Sequence, residues 1–177
     1  MNAGMYDMQG NPIGLYIANG KTIHVLNLTD GAGNFHLKPN GVFWLDGNGP
    51  HVTESSAFAL LKPQGVTLAT QSGPMLVIDG KLHPAISPNG TSKYIRNGVG
   101  ILPSGQPVFV ISQKPVSFER LARLFRDGLG CRNALYFDGL VSALWDGSAG
   151  QNSQTVDLGP MIIAVQSSPL PATAGIP

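Results

Sequence analysis

Four short segments place polar side chains among glycines at the ends of predicted strands. They are Asn2-Ala3-Gly4-Met5-Tyr6, Gln71-Ser72-Gly73-Pro74, Arg96-Asn97-Gly98-Val99-Gly100 and Asp138-Gly139-Leu140-Val141-Ser142. Together they offer a guanidinium, a carboxylate, and hydroxyl and amide groups, which can bind and polarise an anionic ligand. The glycines would let backbone amides approach such an anion closely. Taken one at a time, each segment also fits a structural role as a turn, a cap or an ion pair.

Other common catalytic centres have little support in the sequence. Cys131 has no partner cysteine, and no two histidines have the i, i+4 spacing of a helical zinc site; the histidines are His24, His36, His51 and His83. A lone cysteine at the start of a strand is predicted to be a core residue. Neither a phosphate-binding P-loop nor a Gly-x-Ser-x-Gly nucleophile elbow occurs. We therefore expect no cofactor and no zinc, while a carboxylate-bound calcium or magnesium stays open.

The composition is that of a folded domain with many turns. The chain has 177 residues, of which 42% are hydrophobic and 12% are charged, and its formal net charge is +1. No basic stripe occurs, so a nucleic-acid partner is not expected. No apolar run reaches the roughly 18 residues of a membrane helix, so no transmembrane segment is predicted. Without a signal peptide the chain as it stands is expected in the cytoplasm, whereas an upstream leader would make it periplasmic or secreted.

Hairpins dominate the predicted secondary structure. Asn19-Gly20, Asp79-Gly80 and Ser104-Gly105 each lie between two apolar runs, and such pairs supply the backbone angles of tight hairpin turns. Further strands are predicted over Val42–Leu45 and Val66–Thr70. These patterns predict a mainly antiparallel, twisted sheet.

One principal helix is predicted over residues 117–127. Ser117 is a good N-cap, and an apolar stripe follows at i, i+3, i+4 and i+7, formed by Phe118, Leu121, Ala122 and Phe125. With strands at 108–112 and 134–137 on either side, the helix predicts a β-α-β crossover and one parallel strand pair within a mixed sheet. The fold class is therefore predicted to be α+β.

The chain is expected to form a single domain over residues 1–166. Met161–Val165 is predicted as a closing strand, and residues 167–177 are predicted to be a flexible tail rich in Pro, Ala and Ser. The sequence begins inside its first polar motif, which leaves open either a fragment that is truncated at its N-terminus or a start-shifted reading frame.

The order of the four motifs resembles the phosphodiester glycosidase family, which includes the lysosomal uncovering enzyme. The family pattern runs Asn-Ala/Gly-Gly, Ser-Gly, Arg-x-x-x-Gly and Asp-Gly-x-x-Ser, and the resemblance extends from Asn2 to about Val165. It is closer still to an uncharacterised bacterial branch, through Gly33-Asn34-Phe35, Asn40-Gly41-Val42-Phe43 and Arg132-Asn133-Ala134-Leu135-Tyr136. In the last motif Leu140 and Val141 replace the glycines of the animal enzyme, and they are expected to narrow the pocket.

The resemblance implies hydrolysis of a sugar-1-phosphodiester into free sugar and a phosphomonoester. Arg96 and Asp138 are then the expected catalytic residues, with Arg96 gripping the phosphate through two hydrogen bonds and Asp138 activating water. The expected substrate-binding residues are Asn2, Gly4, Ser72, Gly73, Asn97, Gly139 and Ser142. The partner is a small sugar phosphate or a glycan, and the sequence leaves the oligomeric state open.

Two alternatives stay open beside this hypothesis. The same residues suit a non-catalytic module that binds a sugar phosphate or a cell-envelope glycan. They also suit a phosphodiesterase that attacks phosphorus rather than the anomeric carbon.

Overall fold

Tight turns at glycine-containing pairs divide most of the chain into short antiparallel strands. The computed structural model describes residues 1–147, 151–152 and 157–165, with the backbone alone at 151–152. Twelve strands are described: β1 Tyr16–Ala18, β2 Lys21–His24, β3 Gly41–Asp46, β4 Gly49–Glu54, β5 Leu68–Ser72, β6 Met75–Ile78, β7 Lys81–Leu82, β8 Asn97–Ile101, β9 Pro107–Ile111, β10 Ala134–Asp138, β11 Trp145–Asp146 and β12 Gln151–Asn152. The predicted tail over residues 167–177 lies outside the described residues.

The strands form two five-stranded sheets and one small hairpin. The first sheet has the order β2-β1-β5-β3-β4, the second has the order β7-β6-β10-β8-β9, and β11 pairs with β12. The three predicted hairpins are confirmed as β1/β2, β6/β7 and β8/β9. The α+β class with a mainly antiparallel sheet is likewise confirmed.

The predicted parallel strand pair is wrong. Every described pairing within the two large sheets is antiparallel. The chain does cross over from β9 through a helix to β10, but β8 lies between these two strands and pairs with both. Strands β9 and β10 therefore run in the same direction without bonding to each other, because the crossover passes over one strand.

The described helices are short, and one of them escaped the sequence analysis. Helix α1 spans Ser55–Leu61, where the Glu54 carboxylate accepts a hydrogen bond from the Ala57 amide at 2.8 Å. Helix α2 spans Phe118–Arg123 and continues as one π-helical turn over Leu124–Gly128. Ser117 caps α2 as predicted, with its hydroxyl oxygen 3.2 Å from the Arg120 amide nitrogen.

The two sheets pack face to face around a central core. Alternate residues of a strand point to opposite faces of its sheet. From the first sheet this core takes Phe43 and Val52, and from the second it takes Val99, Leu135 and Phe137. The remaining faces of the sheets are covered by the helices, so the domain has four layers.

The helices complete the outer layers. Phe58 of α1 packs on Val42 and Trp44, which project from the outer face of the first sheet. Leu121 and Phe125 of the α2 region join a cluster with Ala134 and Tyr136 on the outer face of the second sheet; other members are Leu76, Val77, Ile86, Ala122 and Cys131. Tyr136 therefore lies under α2, one residue before the inward-facing Phe137.

The last described segment, residues 157–165, bonds to the N-terminal residues and does not form a strand of its own. Residues 161–165 were predicted to form a strand, but only Met161 makes a β-bridge, with Asn2. The Ile162 amide donates to the Met1 carbonyl, and the Met1 ammonium donates to the Ile162 carbonyl, both at 2.9 Å. These bonds fix the first polar motif against residues 161 and 162.

His83 is a buried histidine whose environment disfavours its charged form. Its Nδ1 accepts a hydrogen bond from the Ala85 amide at 3.1 Å, and its Nε2 has no hydrogen-bond partner among the described residues. Burial lowers the pKa of His83, and the nearby Lys38 and Pro39 carbonyls oppose that effect only in part. Protonation of His83 therefore favours the unfolded chain.

We expect the protein to lose thermal stability as the pH falls from about 7.5 to about 5. The unfolded chain binds a proton at His83 near the ordinary pKa of about 6.5, whereas the folded chain resists it. The stabilising contribution of neutral His83 is complete above the unfolded-state pKa of about 6.5. It is lost as the pH falls toward the lower pKa of the folded chain. In His83→Asn, whose amide oxygen can accept the Ala85 N–H, the melting temperature should fall less over the same range. His24→Asn serves as the control, and equal slopes in wild type and His83→Asn would contradict the assignment.

Candidate functional site

A cleft of about 690 Å³ opens beside the end of β10. Its walls come from the N-terminal segment 5–8, the turn at residues 32–36, the segment 92–96 and residues 136–141. Of the residues predicted from sequence, Arg96, Asp138 and Gly139 line it. The structure thus brings the predicted cation and the predicted carboxylate to one cavity, although 42 positions separate them in the chain.

Arg96 is a buried cation held entirely by neutral groups. Its side chain is 1% exposed, and Nε donates to the Val116 carbonyl at 2.9 Å. Nη1 donates to the Tyr136 hydroxyl at 3.0 Å, and Nη2 donates to the Ser92 carbonyl and hydroxyl at 3.2 and 3.1 Å. The Phe118 ring lies 3.7 Å from the guanidinium carbon, a cation–π contact. These contacts fix the orientation of the guanidinium before any ligand arrives.

Arg96 has no carboxylate partner in the described part of the chain. Among the described residues, no Asp or Glu oxygen lies within 4.0 Å of its guanidinium nitrogens. Buried charges in proteins are ordinarily paired, because desolvation of a lone charge is costly. An unpaired buried arginine at a cleft wall is therefore well suited to an anionic ligand.

Asp138 ends β10 with one carboxylate oxygen occupied and the other available. Its Oδ1 accepts the amides of Gly139 at 2.6 Å and Leu140 at 2.8 Å. Oδ2 accepts no hydrogen bond from the described residues, and the side chain is 8% exposed. Two amides thus fix the carboxylate, while Oδ2 remains free for a substrate or a water molecule.

A buried amide network fixes the backbone of Asp138. The Asn97 side-chain oxygen accepts the Asp138 amide at 2.9 Å and lies 3.4 Å from the Ser142 hydroxyl. Asn97 Nδ2 donates to the Asn2 carbonyl at 3.1 Å and to Asn2 Oδ1 at 2.7 Å, and Oδ1 also accepts the Ala143 amide. Asn2, Asn97 and Ser142 therefore lie behind Asp138, where they position it, rather than among the residues that line the cleft.

Three further predicted residues also lie away from the cleft wall. The Ser72 hydroxyl donates to the Phe137 carbonyl at 3.0 Å and is fully buried, so it ties β5 to β10. Gly4 has a φ of +142°, a conformation that favours glycine. A Cβ at Gly73 would lie 2.5 Å from the Phe35 carbonyl oxygen, so only glycine fits there. The contact of these residues with a substrate stays a prediction, and their observed contacts are structural.

Sequence analysis missed the residues that hold Arg96. Tyr136 stands in an apolar strand, and burial raises the pKa of its phenol despite the opposing effect of the Arg96 charge, so it remains a neutral hydroxyl. Ser92, Tyr94 and Phe118 belong to no motif, and only the fold brings them to the guanidinium. Burial raises the pKa of Tyr6, and the negative charge of Asp138 raises the pKa of Tyr6 and of Tyr136 further.

Alternative centres find no support in the described part of the chain. No group of three or more His, Cys, Asp or Glu side chains among the described residues is arranged to hold a metal ion. Cys131 is a core residue as predicted, and burial raises the pKa of its thiol, which disfavours the thiolate. None of the described helices is long and apolar enough to span a bilayer.

Comparison with known proteins identifies the family. The family model for phosphodiester glycosidases matches residues 1–163. The chain belongs to the phosphodiester glycosidase family. It is 41% identical over 145 residues to the uncharacterised protein YigE of Escherichia coli K12, which covers 82% of this chain and 56% of YigE. The chain thus spans little more than half the length of that relative.

A solved structure shares the fold. The catalytic domain of zebrafish N-acetylglucosamine-1-phosphodiester alpha-N-acetylglucosaminidase, auto-inhibited by its pro-peptide, is similar with a TM-score of 0.56. The match covers 80% of this chain and 50% of the zebrafish chain at 18% sequence identity. At that identity the similarity shows a common fold, and the resemblance to this family seen in the motifs is confirmed.

We expect Arg96 to bind phosphate. In Arg96→Lys, the affinity for a phosphomonoester such as glycerol phosphate should fall, and in Arg96→Ala it should fall about 10- to 100-fold, as for loss of one charge-assisted hydrogen bond of about 1.5–3 kcal/mol. Titration calorimetry of folded variants, checked by circular dichroism, measures this. Arg132→Ala, which removes an exposed arginine, is the control. Unchanged affinity in folded Arg96→Lys and Arg96→Ala would show that the anion binds elsewhere.

Proposed function

We propose that this protein hydrolyses the glycosidic bond of a sugar-1-phosphodiester, releasing a free sugar and a phosphomonoester. The observation that carries the proposal is the buried, unpaired Arg96 in the same cleft as the half-free carboxylate of Asp138. Membership of the phosphodiester glycosidase family supports the same reaction. The proposal assigns phosphate binding to Arg96 and water activation to Asp138.

A single carboxylate suffices for this reaction because of the leaving group. Ordinary glycosidases use a second carboxylic acid to protonate a poor alkoxide leaving group. A phosphomonoester has a second pKa of about 6, so it can depart without a proton from the enzyme. Its departure takes the electron pair of the anomeric C–O bond onto the phosphate oxygen, and water oxygen forms the new bond to the anomeric carbon.

Arg96 acts on the phosphate through its charge and through one hydrogen bond. Its Nε and Nη2 already donate to carbonyl and hydroxyl groups of the protein, so the expected two-pronged grip does not fit the observed side-chain orientation. Nη1 carries two hydrogens and makes one described bond, to Tyr136, which leaves one for the ligand. As charge develops on the leaving group, the fixed cation stabilises it more than it stabilises the substrate.

Asp138 acts as the base that prepares water. The amides of Gly139 and Leu140 hold Oδ1, which leaves Oδ2 to accept a proton from water as it attacks. The same negative charge stabilises the oxocarbenium-like anomeric carbon in the transition state. Tyr136, hydrogen-bonded to Arg96, holds the guanidinium at the carboxylate end of the cleft.

Asp138→Asn tests the chemical role directly. Its amide oxygen can still accept the Gly139 and Leu140 amides, so the turn is retained, but the base and its charge are lost. Turnover of a sugar-1-phosphodiester should fall about 100- to 10,000-fold, while phosphomonoester product binds at least as tightly as in wild type. Asp79→Asn, at an exposed hairpin turn, is the matched control. Near-normal turnover in Asp138→Asn would make Asp138 a structural turn residue and overturn the mechanism.

A further inference from the structure

The cleft changes character between its base and its mouth. At the base lie the buried polar groups of Arg96, Asp138 and Tyr136. Apolar and aromatic residues with high exposure line the same cleft, namely Met8 at 100%, Leu140 at 85% and Tyr94 at 48%. Because these three side chains are far more exposed than the polar groups at the base, they are called the mouth of the cleft. Exposed large apolar side chains grouped around a cleft are typical of a binding surface.

Two of the mouth residues are presented by turns that carboxylates hold. Asp7 Oδ1 accepts hydrogen bonds from the Gln9 and Asn11 amides, each at 2.9 Å. Met8 lies in the turn that these bonds hold. Leu140 is held by its own amide, which donates to Asp138 Oδ1 at 2.8 Å. Both apolar side chains are therefore kept in solvent by hydrogen-bonded backbone rather than by packing. Leu140 is also fixed relative to the carboxylate that is proposed to activate water.

The charges of the cleft suit a ligand with one phosphate. Among the described residues that line the cleft, Arg96 is the only lysine or arginine. The Asp7 carboxylate lines the cleft, and the hydrogen bonds that it accepts from Asn11, and to a smaller extent from Gln9, lower its pKa, so it is ionised at neutral pH. A second phosphate at the mouth would meet a carboxylate instead of a cation. An apolar group meets Met8, Leu140 and Tyr94 without that repulsion.

We infer that the alcohol side of the phosphodiester carries an apolar chain, which lies on Met8, Leu140 and Tyr94 while the single phosphate reaches Arg96. The inference rests on the proposed function, because it names the substrate class of the same site. The ligand chemistry that fits these residues is that of an alkyl phosphate. A membrane lipid and a free amphiphile both supply it.

The test compares two phosphomonoester products by titration calorimetry. Octyl phosphate, kept below its micellar concentration, should bind the wild type roughly 10-fold or more tightly than glycerol phosphate, because methylenes leave water on the mouth residues. Met8→Ser and Leu140→Ser should each reduce this preference several-fold and leave the affinity for glycerol phosphate unchanged. Leu60→Ser, which removes an equally exposed leucine of α1, should leave both affinities unchanged.

The outcomes separate this inference from the proposed function. Equal affinities for the two esters, or a preference that survives both mouth variants, would overturn the apolar chain even where sugar-1-phosphodiester hydrolysis is observed. Failure to bind either ester would overturn the inference together with the phosphate role of Arg96. Co-sedimentation with zwitterionic vesicles that carry phosphatidic acid identifies a lipid in a bilayer as the source. Binding of octyl phosphate without co-sedimentation identifies a free amphiphile.

Discussion

The site depends on a positive charge that the fold buries without a carboxylate partner. The Arg96 guanidinium is satisfied by two carbonyls, two hydroxyls and the face of Phe118, all of which are neutral. Such groups offset part of the desolvation of the charge but do not cancel it. Its charge is therefore available to the cleft. Val116, Phe118 and Tyr136 each present a polar atom or a ring to this one guanidinium.

The carboxylate side of the site is built by a different device. Asn97 connects the N-terminal segment through Asn2 to the end of β10 at Asp138 and to the following turn at Ser142. These residues are distant in sequence, and the hydrogen bonds of Asn97 to Asn2 and Asp138 are buried. The network therefore links the packing of the N-terminal segment to the position of the carboxylate that is proposed as the base. Asn2, Asn97 and Ser142, which were predicted to bind substrate, thus form hydrogen bonds around the carboxylate that is proposed as the base.

The sequence revealed the local features and left the long-range ones undetermined. Glycine-containing turns marked the hairpins, and Ser117 marked the start of α2, since both signals act within a few residues. The position of β8 between β9 and β10 was not predicted, because the sequence of a crossover helix does not indicate how many strands the crossover passes. Arg96 and Asp138 were predicted from motifs as site residues. Tyr136 stands in a family motif, but its contact with Arg96 spans 40 positions and only the packed structure makes it. Ser92 lies only 4 positions before Arg96, but no motif marks it.

The most direct measurement of the central claim follows the oxygen atom of water. Incubation of the protein with a sugar-1-phosphodiester in water labelled with heavy oxygen, followed by mass spectrometry, shows which bond is cut. The account predicts that the label enters the free sugar and is absent from the phosphomonoester, because water is positioned by Asp138 to attack the anomeric carbon. Label in the phosphomonoester would mean attack at phosphorus, and absence of any product would leave a binding module; either result would contradict the account.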